Sequence, residues 1–150
     1  MMNQPAAGAG PEAYLRVTRI LWGAFLAGVG LFVLVTVVTR PSELPDEMGR
    51  GFDPLLYVLA ALAVATVAAS FFVKSGFYRR AAEQRLPALV QTGFILAMAL
   101  CESGVLFGLA GVFVTRNDAA YLLFALGALG MVLHFPRREQ VEAAFQKSLT

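Results

Sequence analysis

Apolar and polar residues alternate along this chain in long blocks. Four blocks are almost wholly apolar, at residues 20–39, 55–73, 93–114 and 119–135. A membrane-spanning helix needs about 20 mostly apolar residues, within a range of roughly 17–25. The pattern therefore predicts an all-α, polytopic membrane protein with four spans, the third within a helix over about 88–115. The fourth span, of 17 residues, lies at the short end of the range.

Composition agrees with this fold class. Hydrophobic residues make up 58% of the 150 residues and charged residues only 15%, against about 45–50% and 25% in soluble domains. A soluble domain of this size would leave much of that apolar surface exposed, so membrane lipid is the expected partner. The net charge of +2, with no basic stripe of interleaved aromatics, excludes nucleic acid as a partner.

Cations are concentrated in some connections and scarce in others. Residues 74–87 carry four cations, residues 16–19 carry two and residues 136–150 carry three, whereas the other two connections are poor in them. The positive-inside rule then predicts both termini and the middle loop in the cytoplasm, with the protein in the inner membrane. Because the middle loop is short, spans two and three form a central antiparallel hairpin.

The two ends of the chain have different patterns. Residues 1–14 are rich in Pro, Ala and Gly, which predicts a disordered segment before a helical domain at 15–135. Residues 136–150 form a cytoplasmic tail. The tail is either a solvated segment or a short amphipathic helix with its apolar side formed by Val141, Ala144, Phe145 and Leu149.

Span three carries a stripe of small residues. Its members follow one another at spacings of 4, 4, 3, 4 and 3 and are Gly93, Ala97, Cys101, Gly104, Gly108 and Gly111. Small residues on one face allow membrane helices to approach closely. Alanines of span two, among them Ala61 and Ala65, are the expected counterpart in the hairpin. The alternative is that these small residues are only tolerated in a helix, without a packing role.

Glu102 interrupts the apolar part of span three, about 140° around the helix from the small-residue stripe. A charged carboxylate at mid-membrane costs about 2.5–3.5 kcal/mol, and no span contains a Lys or Arg to pair with it. Three arrangements would relieve this cost: protonation of Glu102, a bound small cation, or contact with another polypeptide. A static role as a neutral hydrogen-bond donor between helices is the structural alternative.

The segment "RLPALVQTGFILAMALCESGVLFGLAGVFV" (residues 85–114) resembles the proteolipid c subunit of rotary ATPases. In that family a cytoplasmic Arg/Gln-Pro loop precedes a helix with an ion-binding carboxylate and then an aromatic-Gly-Leu step. The matching elements here are Gln84–Pro87, Glu102 and Phe107–Leu109. The resemblance covers about residues 55–115. It implies that Glu102 takes up and releases a proton or a sodium ion inside an oligomer.

The residues around Glu102 favour a proton over sodium. Ser103 beside it matches the Glu-Ser/Thr pair of sodium-type proteolipids, but a dehydrated cation needs several oxygen ligands. Span two offers only Thr66 and Ser70 as polar side chains, and position 107 is Phe rather than Tyr. We therefore expect no cofactor other than a proton.

Two functional hypotheses follow from these residues. In the first, the chain is a proton-binding subunit of a homo- or hetero-oligomeric, proton-translocating complex. In the second, it is a structural or assembly membrane protein with a static, protonated Glu102. The sequence contains no Ser/His/Asp or Cys/His set for a hydrolase. Cys101 is predicted to be an inert buried thiol, and His134 an interfacial residue.

Overall fold

The computed structural model describes residues 10–39, 53–84 and 86–142, and within these ranges the chain is helical, with no strand. Its α-helices are α1 (Pro11–Thr39), α2 (Pro54–Gln84), α3 (Pro87–Thr115), α4 (Tyr121–Leu133) and α5 (Arg138–Glu142), and a 3-10 turn (Asp118–Ala120) precedes α4. The predicted all-α fold class is confirmed.

Three of the helices are long and apolar enough to cross a membrane. They are α1, α2 and α3, of 29, 31 and 29 residues, whereas Asp118–Leu133 forms a shorter apolar helix. At 1.5 Å per residue, the 13 residues of α4 extend about 20 Å, less than the roughly 30 Å of a hydrocarbon core. The structure thus has three helices of spanning length and a fourth that is shorter than predicted.

Local sequence explains where these helices begin. Each long helix starts with a proline, whose fixed φ suits the first turn and whose missing N–H costs nothing there. Asp53 caps α2 by accepting hydrogen bonds from the backbone N–H groups of Leu55 and Leu56. Between α3 and α4, Arg116 has a positive φ of 55° and Asn117 accepts from the N–H of Ala119 at 2.9 Å.

The central helix of the bundle is α3, which packs against α2, α4 and α1. Phe94, Met98, Cys101 and Val105 of α3 are completely buried. By contrast, large apolar side chains cover the outside of the bundle, including Phe72, which is 78% exposed, and Val38, which is 73% exposed. A helical bundle that is apolar both inside and outside is typical of a protein surrounded by lipid.

A second, smaller core lies at the end of the bundle that carries α5, called the α5 end below. Leu15, Ala81, Val90 and Val141 are buried together there. Arg138 pairs with Glu12 of α1 at 3.0 Å and with Glu142 of α5. The hydrogen bond that Arg138 donates to Glu142, and the negative charge of both carboxylates, raise the pKa of Arg138. These contacts place the start of α5 against the start of α1.

Two expectations about the termini can be compared with these helices. Residues 11–14 were predicted to belong to a disordered segment but are helical, because α1 begins at Pro11; residues 1–9 lie outside the described residues. In the tail, α5 covers Arg138–Glu142 and buries Val141. The other apolar residues of the predicted amphipathic helix lie in residues 143–150, also outside the described part of the chain.

Candidate functional site

Glu102 lies at the middle of α3 and is partly buried against α1. Its Oε1 atom is 4.0 Å from the point that a Cβ would occupy on Gly28. A larger residue at position 28 would therefore approach the carboxyl group. Among the described residues, no hydrogen bond or ion pair to Glu102 is found.

Few other oxygen atoms in the described part of the chain could coordinate a cation together with Glu102. The Ser103 hydroxyl donates to the carbonyl of Ala99 in its own helix at 3.0 Å, and Thr66 likewise bonds to Ala63. The described residues contain no group of three or more His, Cys, Asp or Glu side chains that could hold a metal ion. The site therefore consists of one carboxyl group in an apolar setting.

The small-residue stripe of α3 lies buried between α2 and α4. A Cβ on Gly93 would collide with Phe77 of α2, and one on Gly111 would lie 2.9 Å from the Cβ of Ala120. Gly104 faces α2 and Gly108 faces α4, while Ala97 and Cys101 are completely buried. Glu102 points away from this interface.

The α2 side of the interface differs from the expected one. Ala61 and Ala65 are exposed, as is Ala68. The α2 residues nearest Gly104 are instead Ala63, Thr66 and Val67. The face of α2 that packs on α3 is thus rotated from the alanines that sequence spacing had suggested. On α4, Gly127 and Gly130 approach Cys101 closely, and no pattern in the sequence had indicated this contact.

The structure brings together a polar cluster that the sequence analysis did not predict, formed by Ser70, Lys74, Cys101 and His134. Ser70 Oγ is 2.7 Å from His134 Nε2 and 3.4 Å from Cys101 Sγ. Ser70 also donates to the carbonyl of Val67 at 2.6 Å. All four residues are buried; Lys74, with an exposed fraction of 8%, is the most accessible.

The number of hydrogens available determines which groups donate and which accept in this cluster. A serine hydroxyl has one hydrogen to donate and two lone pairs. With that hydrogen on the Val67 carbonyl, the Ser70 oxygen accepts from the Nε2–H of His134 and from the thiol of Cys101. In this arrangement Ser70 Oγ, Cys101 Sγ and His134 Nε2 each have a partner, and His134 carries its proton on Nε2.

Lys74 and Trp22 donate hydrogen bonds to backbone carbonyl groups at the C-terminal end of α4, which stops inside the bundle. The last carbonyls of a helix lack intrahelical partners and are costly when buried without one. Lys74 Nζ donates to the carbonyl of His134 at 3.2 Å, and the indole of Trp22 donates to that of Met131 at 2.9 Å. A cation is also favoured there by the helix dipole. This cluster therefore has a structural explanation: it holds α4 against α1, α2 and α3.

One signal in the sequence could have revealed the cluster. Ala63, Val67, Ser70 and Lys74 follow one another at spacings of 4, 3 and 4, so two polar residues continue an apolar helix face. His134, expected at an interface, is instead 1% exposed and packs against the tilted ring of Phe71.

The chain was also compared with known proteins. These comparisons found no match to a family model, to a curated protein or to a solved structure.

Proposed function

We propose that this chain is a four-span protein of the inner membrane in which Glu102 reversibly binds a proton, as part of a proton-translocating oligomer. The observation that carries the proposal is the position of Glu102. It lies at mid-helix in the central helix of an apolar bundle, and no cation among the described residues pairs with it. An ionisable residue at such a depth is expensive and is usually functional.

Desolvation favours the neutral, protonated form of the carboxyl group, and a proton needs only this one group. Sodium would need several oxygens, but the hydroxyls of Ser103 and Thr66 bond to carbonyls in their own helices. These contacts support a proton rather than sodium as the ion.

The resemblance to the rotary ATPase c subunit supports the proposal over the α2–α3 hairpin. Both α1 and α4 pack against α3, so two faces of the hairpin are occupied within one chain. The oligomer proposed here therefore packs differently from a ring of plain hairpins. We place both termini in the cytoplasm, since the α5 end carries six arginines of the described chain.

A structural role is the second candidate, and the cluster around Ser70 favours it. That cluster shows that this bundle already uses buried polar side chains to hold helices together. In the same way, a permanently protonated Glu102 would donate one hydrogen bond to a neighbouring chain and never exchange its proton.

Labelling with a hydrophobic carbodiimide separates the two candidates. The reagent attacks protonated carboxyl groups, and an apolar environment protects the adduct from hydrolysis. The purified full-length protein in detergent is labelled across a pH series, and the modified residue is identified by peptide mass spectrometry. Glu102→Gln is the negative control, and Glu83, exposed near the end of α2, reports on a carboxyl group in water.

For a proton-binding Glu102, we expect rapid labelling that falls as the pH rises, with little labelling of Glu83. Sodium ions that protect Glu102 would overturn the choice of a proton. A folded protein in which Glu102 stays unlabelled at every pH would support the structural role.

A further inference from the structure

The first turns of α1 carry two arginines that have no ion-pair partner among the described residues. Arg16 and Arg19 lie one turn apart on α1, both are exposed, and neither forms a salt bridge among the described residues. The nearby carboxylates of Glu12 and Glu142 both form salt bridges with Arg138. A strong positive charge is thus left on one side of α1.

These arginines lie at the level where the apolar surface of the bundle starts. Gly28 of α1 is level with Glu102 of α3, and the two helices run parallel, so Arg19 is level with the region of Gly93, where the apolar part of α3 begins. The Arg19 guanidinium lies 5.8 Å from the ring centre of Phe135, which packs edge-on against Trp22. Aromatic and cationic side chains together are typical of a membrane interface.

Space and apolar surface are available beside the two charges. An open groove lies there, and the described residues that line it belong to the first three turns of α1. Two of them, Val17 and Ile20, are exposed by 43% and 65%. Cationic groups above an apolar, lipid-facing surface match a phospholipid, with its phosphate above and its acyl chains below.

We propose that Arg16 and Arg19 form a binding site for the headgroup of an anionic phospholipid, with Val17 and Ile20 against its acyl chains. The site is independent of proton binding at Glu102. Two arginines attract an anionic headgroup more strongly than a zwitterionic one, and we expect a preference of roughly three- to tenfold for the anionic lipid. The interaction is electrostatic, so the preference weakens with added salt.

Trp22 makes this site measurable, because it is the only tryptophan and lies one turn from Arg19. The full-length protein is reconstituted in vesicles of phosphatidylcholine containing either brominated phosphatidylglycerol or brominated phosphatidylcholine. Bromine on the acyl chains quenches nearby tryptophan fluorescence. We expect brominated phosphatidylglycerol to quench Trp22 at three- to tenfold lower mole fraction than brominated phosphatidylcholine.

Paired variants test which charges are responsible. Arg16→Gln/Arg19→Gln is expected to lose the preference, and Arg16→Lys/Arg19→Lys to retain most of it. Arg79→Gln/Arg80→Gln removes the same charge from the same end on α2 and is expected to retain it. Circular dichroism checks that each variant is folded.

Three results would overturn the proposal. Equal quenching by both lipids in the unmodified protein would show that no headgroup is preferred. Equal loss of preference in the α2 variant would show only a general attraction to the basic end. Failure of both lipids to quench would show that a second copy of the chain, rather than lipid, covers this face of α1.

Discussion

Ser70 accepts hydrogen bonds from two buried donors with a single oxygen atom. His134 Nε2 and Cys101 Sγ both depend on it, and neither is exposed to solvent. Sequence reasoning did not find this role, because a lone serine near the end of an apolar segment is also common at a membrane boundary. Its partners come from α3 and from the end of α4, which are far away along the chain.

Ser70→Ala is predicted to destabilise the protein by about 1–3 kcal/mol, the cost of leaving a buried donor unsatisfied. Ser75→Ala is the matched control. Ser75 makes the same type of hydrogen bond, to the carbonyl of Phe72, but is exposed; its loss should change stability by less than about 0.5 kcal/mol. Unfolding in mixed micelles, followed by circular dichroism, measures both variants. Equal stability of the two variants would contradict the assigned role of Ser70.

At the scale of the helices, the interface around α3 shows what the sequence could and could not predict. The stripe from Gly93 to Gly111 was predicted because all the glycines of α3 fall on one face of the helix. On α2, alanines occur on several faces, so spacing alone could not separate Ala61 and Ala65 from the face of Ala63 and Val67 that packs on α3. The helical spacing was enough to predict that Glu102 lies opposite the stripe. Its proximity to Gly28, however, depends on how α1 packs against α3, which the spacing does not show.

The close approach of α4 to α3 gives a prediction at this scale. A Cβ on Gly127 would lie 2.9 Å from the carbonyl oxygen of Cys101, so Gly127→Ala must separate the two backbones. We expect a loss of about 1–3 kcal/mol. Gly30→Ala is the control, because no atom lies within 4 Å of the added Cβ and alanine favours the helix by about 0.5–1 kcal/mol.

Thermal unfolding of both glycine variants in the same detergent tests this prediction. If Gly127→Ala is as stable as the unmodified protein, the helices α3 and α4 are not held at this distance. A lower stability for Gly30→Ala would instead show that its face of α1 contacts another chain.

For the whole molecule, the decisive question is whether the short helix α4 brings the chain back to the α5 end of the bundle, where α1 begins. The described contacts require this return, since Arg138 of α5 pairs with Glu12 near the start of α1 and Val141 packs with Ala81 near the end of α2. The turn at Asp118–Ala120 lies at the opposite end. In the four-span arrangement proposed above, the segment from Arg116 to Arg137 crosses the membrane, although its helix is only 13 residues long.

Single cysteines in a Cys101→Ala background test this topology, because Cys101 is the only native cysteine. Ala82, Ala119 and Glu139 are exposed positions at the end of α2, the turn before α4 and the start of α5. In intact cells, a membrane-impermeant maleimide is expected to label Ala119→Cys, but to label Ala82→Cys and Glu139→Cys only after the membrane is opened. Labelling of Glu139→Cys together with Ala119→Cys would mean that α4 does not cross. The packing of α5 on α1 would then be wrong, and Glu102 would lie in a three-span protein with its C-terminal segment outside the cell.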